Sequence, residues 1–571
     1  MKKLVSLFLA AVLLCGCATK LNAVASSYVG GNPVEEAQAA PFHTELSFSA
    51  LSDAAPNAAL TIEKVKELLF RIERGELSPV DAKKLTEQYE DAYRELETAA
   101  ALAYVRYCFD VTDAARKEAY DALCVQTETL YALLVQINLL LAENPALSDE
   151  YDAQTKAALQ HEKSLHDPSL EALHIEERAL TGAYEAAAQG FTIEAQGRTW
   201  TREQILNDPT LSYDSFKPLY EAYLNAYNRC VGEIYLKLID VRNRIAKACG
   251  YPSYAEYAYA LYARDYTPDD TARLGECIRL AVVPLFTALQ EQVFDAQIRL
   301  SCGTFRQEAT MARVAETLTA ILPELNEPWT YMLSHGMIDC TSSERRMQGS
   351  FTTYFASYGA PFLYSSWDGS YTMPTTLLHE FGHYASYYRN GEAAADSLDL
   401  CETDSQGLEL LAFSEYDRLY GALADAAKTA NLFYALYVLL SGSMEDAFQQ
   451  YAYHTEGVTL EQLNAEYGRL AEAYGLMDLG LDALSWTEIP HTFRSPLYYI
   501  SYSMGMIPAL ELYLRAKTDR DAATTAYRTI LLRQSGNTFR EALIGAGLQD
   551  PFDIGAFFRM IDSIERIAIE Q

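Results

Sequence analysis

The chain has 571 residues, half of them hydrophobic, and a formal net charge of -33 at pH 7. This length exceeds what one small core requires, so several subdomains or one large helical body are expected. The strong negative charge repels nucleic acid and anionic lipid surfaces, which excludes proteins that bind either through a basic surface. The eight cysteines after residue 17 form no CxxC pair, so a disulfide scaffold is not indicated.

The first 17 residues have the features of an export signal. Met1-Lys2-Lys3 is basic, and an apolar core from Leu4 to Leu14 follows that is too short to span a membrane as a helix. Leu14-Cys15-Gly16-Cys17 resembles a bacterial lipobox, in which Cys17 would carry the lipid and begin the mature protein. The sequence therefore predicts an exported, membrane-anchored bacterial lipoprotein, with an uncleaved anchor or plain secretion as the alternatives.

The segments that follow differ in periodicity. Residues 18–45 are small and polar with no period, so we predict a flexible tether. Residues 46–190 repeat apolar side chains at helical spacing, which predicts an N-terminal helical region. Residues 130–141 form a strongly apolar helix that we interpret as core. No later apolar run has the length to cross a membrane, so the lipid is the only membrane contact that we predict.

Residues 191–571 contain the two convincing β patterns. A small hairpin is predicted over residues 191–200, and a long helix over residues 215–250 follows it. Two alternating segments, Gly349–Phe355 and Gly359–Tyr364, then predict a pair of strands just before the most informative motif in the chain. The strand that follows Gly349 would bind a peptide by strand addition or would only brace the next helix.

That motif is His379-Glu380-Phe381-Gly382-His383. On a helix the two histidines share one face a turn apart and can direct two imidazole nitrogens at one metal ion. Glu380 lies beside that face, where it can accept a proton from a metal-bound water. Two surface histidines and a glutamate on an ordinary helix are the alternative, but the apolar neighbours Leu377, Leu378 and Phe381 would bury such a trio at high cost.

A catalytic zinc site has three protein ligands and one position for water, whereas a structural site is closed by four. A metzincin would have Gly at the position of Ser386 and His at that of Arg389, so that class is excluded. The remaining choice is a carboxylate from a later helix. Glu402 is the leading candidate, and Asp404 and Glu409 are rivals that spacing alone does not separate.

Asp399 stands one turn before Glu402 on the same predicted helix. It could accept the outer N–H of a ligand histidine and so fix its tautomer. For each of the acids in this segment, a solvated helix face is the alternative interpretation.

A second group of polar residues lies near the C-terminus. Tyr498 and Tyr502 are spaced to share a helical face, and His491 precedes them. Hydrogen-bond donors of this kind could reach the oxyanion that forms when water adds to a carbonyl. Histidine and tyrosine in such numbers also serve as ordinary packing residues, which is the alternative.

Together these motifs resemble the zinc metallopeptidases of the oligoendopeptidase F and thimet oligopeptidase family, which are of the gluzincin type. The resemblance covers roughly residues 170–571. It is carried by the strands within residues 349–364, the HEFGH motif, Glu402 with Ser405-Gln406, and Ile489-Pro490-His491 with the tyrosines of residues 498–502.

The resemblance implies a mainly α, zincin-like and neurolysin-like fold. A large helical body would be divided by a deep substrate channel, with a small β-sheet next to the HExxH helix and one Zn²⁺ at the channel floor. A narrow mouth would admit short peptides only. Residues 191–571 would then be the zinc metallopeptidase catalytic region.

The resemblance also assigns roles by motif position. His379, His383 and Glu402 would bind the metal, and Glu380 would be the general base. His491, Tyr498 and Tyr502 would be catalytic residues that bind the transition state. Tyr499 and Gly349 would bind the substrate.

The expected activity is zinc-dependent hydrolysis of short peptides. Zinc would lower the pKa of its bound water to about 7, and Glu380 would transfer a proton from that water to the leaving amine. The alternative function is a catalytically inactive peptide-binding lipoprotein that keeps the peptidase fold. A structural metal site is a third hypothesis. It is disfavoured because the sequence near the helix offers no fourth protein ligand.

Overall fold

The computed structural model describes residues 42–51, 57–147, 151, 153–165, 170–533 and 536–570. Within these ranges the chain is mostly helical with two small sheets, which confirms the predicted fold class. The predicted signal peptide with Cys17, and residues 18–41 of the predicted tether, lie outside the described residues.

Five helices make up the predicted N-terminal helical region. The second of them begins where the sequence indicates, because Ser78 caps it by accepting a hydrogen bond from the Asp81 N–H and Pro79 occupies its first turn. Buried residues such as Val65, Leu96 and Leu134 form a small core between the first three of these helices. The helices are α1 (Ala58–Glu73), α2 (Pro79–Phe109), α3 (Ala114–Ala142), α4 (Ala153–Leu165) and α5 (Glu171–Gly190).

Helix α3 is long and apolar enough to cross a membrane by length and composition, contrary to the expectation that no apolar run reaches that limit. Half of its most apolar window is buried inside the protein. Leu130, Leu134 and Ile137 are fully buried against the other N-terminal helices. The helix is therefore accounted for as a core helix, as the sequence predicts for residues 130–141.

The predicted hairpin and the remaining helices follow. The hairpin pairs Thr192 with Thr201 and Ala195 with Arg198 in antiparallel register, as expected. The elements are β1 (Thr192–Ala195), β2 (Arg198–Thr201), α6 (Arg202–Asn207), α7 (Tyr213–Ala248), α8 (Tyr254–Leu261), α9 (Pro268–Ser301), α10 (Gln307–Ile321), α11 (Asn326–Ser334), β3 (Ile338–Asp339), β4 (Ser350–Phe355), β5 (Ala360–Ser365), α12 (Met373–Asn390), α13 (Leu398–Leu411), α14 (Tyr416–Tyr420), α15 (Ala424–His454), α16 (Leu460–Ala473), α17 (Pro490–Arg494), α18 (Ile500–Thr518), α19 (Arg520–Leu531), α20 (Phe539–Gly545) and α21 (Ile554–Glu570).

The second sheet has the strand order β3-β5-β4 and packs against α12. Strands β4 and β5 are antiparallel, with Ser350 opposite Ser365 and Phe355 opposite Ala360. These are the two strands that the sequence predicts. Strand β3 adds two residues parallel to β5 and is too short to produce an alternating pattern. Because β4 is at the edge, its second side has no partner among the strands that the structure describes.

The segment 42–51 contacts the sheet and α12, which moves the end of the predicted tether from residue 45 to before Phe42. The His43 Nδ1–H donates to the Gly359 carbonyl at 2.7 Å, and the His43 ring stacks on Tyr388 with centroids 3.8 Å apart. Phe48 packs on Phe362 with centroids 4.3 Å apart. Aromatic residues at 43 and 48 therefore anchor a stretch whose polar neighbours indicate a linker.

Helix α13 lies between α12 and α18 at backbone contact. A Cβ added at Gly382 of α12 would lie 2.5 Å from the Asp404 carbonyl oxygen of α13. A Cβ added at Gly505 of α18 would lie 2.7 Å from the Glu402 carbonyl carbon. Both separations are below van der Waals contact, so only glycine allows α13 to approach its two neighbours this closely.

This packing predicts opposite effects for two helical Gly→Ala substitutions. Gly505→Ala should destabilise the protein by about 2 kcal/mol or more, because the added methyl group overpacks the contact with Glu402. Gly182→Ala in α5, where an added Cβ meets nothing within 4 Å, should be neutral or stabilise by up to about 1 kcal/mol. Urea unfolding of both variants measures the difference, and equal effects would contradict the backbone contact.

Candidate active site

The three predicted metal ligands meet between α12 and α13. His379 and His383 stand one turn apart on α12, and each directs its Nε2 atom toward Glu402 of α13. The Glu402 Oε2 atom lies 3.6 Å from the His379 Nε2 and 3.9 Å from the His383 Nε2. Glu402 is fully buried and His383 nearly so. The structure thus brings together residues from two helices that the sequence separates by nineteen or more positions.

The donor set fits a zinc ion. One ligand atom from each of these residues lies within 4.8 Å of the others, and no second such group occurs in the described ranges. Two imidazoles and one carboxylate form the usual ligand set of a catalytic zinc, with the fourth position left for water or substrate. The Glu402 Oε2 spacings of 3.6 and 3.9 Å exceed by a few tenths of an ångström the separation of about 3.3 Å between two ligands of one tetrahedral ion at about 2 Å.

Glu409 fixes the outer nitrogen of His379. Its Oε1 atom accepts a hydrogen bond from the His379 Nδ1–H at 2.7 Å. Glu402 and Glu409 are seven residues apart, so they lie two turns apart on one face of α13. The sequence predicts that Asp399 accepts the outer N–H of a ligand histidine. At His379 this acceptor is Glu409, which the sequence offers only as a rival ligand. The seven-residue spacing is the signal that could have identified it.

The other two acids of α13 have different partners. The Asp399 Oδ2 atom accepts the Tyr266 hydroxyl at 2.8 Å. Asp404 forms a buried ion pair with Arg533, at 2.8 Å between Oδ2 and Nη1. A carboxylate engaged by a guanidinium in the interior is not available as a metal ligand. These partners separate Glu402 from the rivals that spacing alone leaves open.

The carboxylate of Glu380 is held by strand β4. Glu380 is 1% exposed, and the Thr352 hydroxyl lies 3.0 Å from its Oε2 and 2.9 Å from its carbonyl oxygen. Sequence reasoning does not identify Thr352, because a threonine in a strand is ordinary. The contact connects the edge strand directly to the predicted general base.

The histidine nearest these carboxylates is strongly influenced by them. Burial disfavours the imidazolium of His379, but the hydrogen bond and charge of Glu409, with the charges of Glu402 and Glu380, outweigh burial. The pKa of His379 is raised to about 9. A centre with this excess of negative charge favours a bound cation.

Tyr498 contacts Glu402, one of the three predicted metal ligands. Its hydroxyl donates to the Glu402 Oε1 atom at 2.7 Å, leaving the Oε2 atom toward the histidines. The sequence predicts this tyrosine as a catalytic donor, and the structure shows it restraining the ligand carboxylate. It precedes α18, whereas Tyr502 lies inside that helix.

His491 lies at the start of α17, which Pro490 begins, and not in a loop before α18. Its Nε2 atom is 3.5 Å from the Tyr502 hydroxyl, and its ring packs edge-on against Tyr499 with centroids 5.3 Å apart. Burial and the nearby charge of Arg494 lower the pKa of His491 to about 4. The ring is therefore neutral at pH 7, so one of its nitrogens donates a hydrogen bond and the other accepts one.

Gly349 precedes the edge strand and has a left-handed φ of 101°. Its carbonyl oxygen accepts a hydrogen bond from the Ser366 N–H at 2.9 Å, which closes the end of the β4–β5 pair. This carbonyl is engaged inside the sheet. The substrate-binding role of Gly349 stays a prediction that depends on the strand it begins.

Comparison with known proteins places this arrangement in a known fold. No protein-family model matches the chain, and no curated protein matches it in sequence. Among solved structures, PZ peptidase A in complex with an inhibitor is 21% identical, with a TM-score of 0.78 over 92% of this chain and 99% of that chain. A Bacillus anthracis protein provisionally assigned as an oligoendopeptidase F is also 21% identical, with a TM-score of 0.74 over the same shares.

A third solved structure, the oligoendopeptidase F of Enterococcus faecium, is 16% identical, with a TM-score of 0.53 over 90% of this chain and 99% of that chain. The chain therefore has the helical, zincin-like fold of peptidases. Within that class, its fold is that of the oligoendopeptidase F structures, as the sequence resemblance predicts.

The outer hydrogen bonds to the ligands predict two variants with weakened metal binding. Glu409→Gln and Tyr498→Phe should each lower zinc affinity about 10- to 100-fold, because His379 or Glu402 loses the partner that orients it. Chelator competition measures the affinity. Glu415→Gln is a matched control, since Glu415 is 12% exposed like Glu409 but pairs with Arg418 and Arg520. Unchanged affinity in both site variants would contradict the assignment.

Proposed function

We propose that the protein is a zinc-dependent endopeptidase that hydrolyses short peptides. The observation that carries the proposal is the position of Glu380, which follows the first ligand directly and is buried beside the three-ligand group. A protein that only binds peptides has no need of a restrained carboxylate next to an open metal position. The peptidase fold of the solved structures agrees with this assignment.

Zn²⁺ held by His379, His383 and Glu402 would polarise the scissile carbonyl and make a water molecule more acidic. The Glu380 carboxylate accepts a proton from this water as the water oxygen attacks the carbonyl carbon. It then donates that proton to the amine nitrogen as the C–N bond breaks. The Thr352 hydroxyl keeps the Glu380 carboxylate oriented through both proton transfers.

The strand β4 would bind the substrate main chain. Its second side has no partner among the described strands, so the N–H and C=O groups there would pair with any extended peptide, which suits an enzyme with broad substrates. The same strand carries Thr352, so a peptide on the edge lies beside the general base. The predicted channel with its narrow mouth would limit substrates to short peptides.

His491 and Tyr502 would donate hydrogen bonds to the oxyanion that develops on the scissile carbonyl. The neutral imidazole of His491 is the form that fits this role, because burial and the positive charge of Arg494 both disfavour a positive charge on the ring. Tyr499 packs against both side chains and would border the bound peptide. Tyr498 would act on Glu402 and so support the metal.

The decisive variant is Glu380→Gln, which removes the proton acceptor and keeps the volume. Turnover should fall about 10² to 10⁴-fold while zinc remains bound, because the three ligands are unchanged. Mass spectrometry of a mixed-length peptide pool containing one folded protein measures cleavage, with the parent protein run in parallel. Cleavage of short peptides alone would also support the narrow channel.

Near-normal activity of the Glu380→Gln variant would refute the mechanism. Peptides that the zinc-loaded parent binds but leaves intact would instead establish the inactive peptide-binding lipoprotein. Four protein ligands and no water at the metal would establish a structural site.

We also propose export and lipid anchoring through Cys17, which rests on residues 1–17 alone. In a bacterial host, Cys17→Ala should move the protein out of the detergent-soluble membrane fraction, because no thiol remains for the lipid at that position. Cys15→Ala is the control and should stay in the membrane. Equal membrane retention of both variants would exclude lipidation at Cys17.

A further inference from the structure

The turn that connects α17 to α18 contains a buried residue in an unfavourable conformation. Leu497 is fully buried and has φ at 62°, in the left-handed region that residues with a Cβ avoid. Such a conformation persists only where the surrounding structure enforces it, and it is concentrated at functional sites. Its position immediately before Tyr498 makes the source of that enforcement relevant to the active site.

Two side chains from distant parts of the chain, Gln449 in α15 and Arg264 in the segment between α8 and α9, hold both polar groups of Leu497. The Leu497 N–H donates to the Gln449 Oε1 atom at 2.5 Å, and the Leu497 carbonyl accepts from the Arg264 Nη2 atom at 2.7 Å. The Tyr262 hydroxyl donates to the preceding carbonyl, that of Pro496, at 3.1 Å. The backbone immediately before Tyr498 therefore cannot rotate without breaking these hydrogen bonds.

The surroundings of Gln449 and Arg264 restrict the movement of both side chains. Gln449 is fully buried in α15. The Arg264 guanidinium lies over the Tyr259 ring, 4.4 Å from its centroid, and its Nη2 atom also donates to the Ser501 Oγ at 3.1 Å. Ser501 lies between the two tyrosines that contact the site. Arg264 thus bonds to both the strained turn and the first turn of α18.

We propose that Gln449 and Arg264 are positioning residues that lock the Leu497 turn and thereby aim Tyr498 at Glu402 and Tyr502 at His491. Neither residue has a hydrogen bond to the candidate ligand group. Gln449 acts through the backbone of Leu497, and Arg264 acts through both Leu497 and Ser501. The inference rests on the proposed peptidase function for its kinetic consequence. Its structural consequence, a locked turn and an oriented Glu402, is measurable without any activity.

The test compares Gln449→Met with Gln450→Met. Methionine keeps the length of the side chain and removes the acceptor of the Leu497 N–H. Gln450 is the neighbouring residue of α15 and also bonds inside the protein, to Thr271 and Asp446, but has no contact with the turn. Hydrogen exchange of the metal-free proteins, followed on peptides covering residues 495–502, reports on the turn. Chelator competition reports on zinc, and peptide cleavage gives kcat and KM.

Gln449→Met should speed exchange in residues 495–502, weaken zinc binding about tenfold, and lower kcat about 10- to 100-fold with little change in KM. Gln450→Met should leave these three quantities near those of the parent. Equal exchange in the two variants, or equal loss in both, would overturn the inference. If the parent itself cleaves nothing, the proposed function fails, and exchange and zinc affinity still decide whether Gln449 locks the turn.

A second comparison isolates backbone strain from other effects of Gln449. Leu497→Gly and Leu497→Ala both remove the buried side chain, but only glycine adopts a positive φ without steric cost. Adding Gln449→Met should therefore cost less zinc affinity and kcat in the Gly background than in the Ala background. Identical costs in the two backgrounds would show that Gln449 does not act by offsetting the strain at Leu497.

Discussion

The site depends on the backbone contact of α13 with the helices on either side. Gly382 lies inside the HExxH motif and Gly505 lies in α18. Each allows the backbone of α13 to approach so closely that a methyl group at the glycine would overlap it. This contact brings the carboxylate of Glu402 to the two imidazoles of α12. Such closeness matters because metal binding requires ligands placed to a few tenths of an ångström. Wider helix spacing of 8–10 Å, as large side chains impose, would move Glu402 out of reach.

Three of the four groups predicted to bind the metal or to react are also held by a second group from another part of the chain. Thr352 of β4 restrains Glu380, Glu409 restrains His379, and Tyr498 restrains Glu402. Burying several carboxylates in one region is costly unless each has a partner. The partners therefore serve two purposes, because they offset part of the burial of charge and they fix the direction of each functional atom.

Much of this arrangement could be predicted from local pattern. The HExxH spacing, the two strands before it and the helical character of the chain follow from periodicity, which short-range geometry imposes. The roles of the acids in α13 could not be separated, because spacing defines a helix face but not the partner opposite it. Arg533 and Tyr266 decide the positions of Asp404 and Asp399, and both lie more than a hundred residues away.

The contacts of the segment 42–51 illustrate the same limit. Its composition resembles a linker, and the attachment of His43 to Tyr388 depends on a surface that forms only when α12 and the sheet have folded. The short strand β3 is likewise defined by its parallel partner. Pairing across a fold leaves little trace in a segment of two to ten residues, so such elements appear only with the tertiary structure.

Two constraints act on Glu402, one on its backbone and one on its carboxylate. Its backbone is placed by the glycine contacts, while its Oε1 atom is placed by Tyr498 at the end of the Leu497 turn. If only the backbone were fixed, the carboxylate could rotate and present either oxygen or neither to the histidines. Because the turn is held from α15 by Gln449 and from the residues after α8 by Arg264, the rotamer of the Glu402 carboxylate depends, through Tyr498, on residues distant from it in the sequence. Residues from several parts of the helical body therefore hold the side chains of the candidate site in place, and this requires a fold much larger than the site itself.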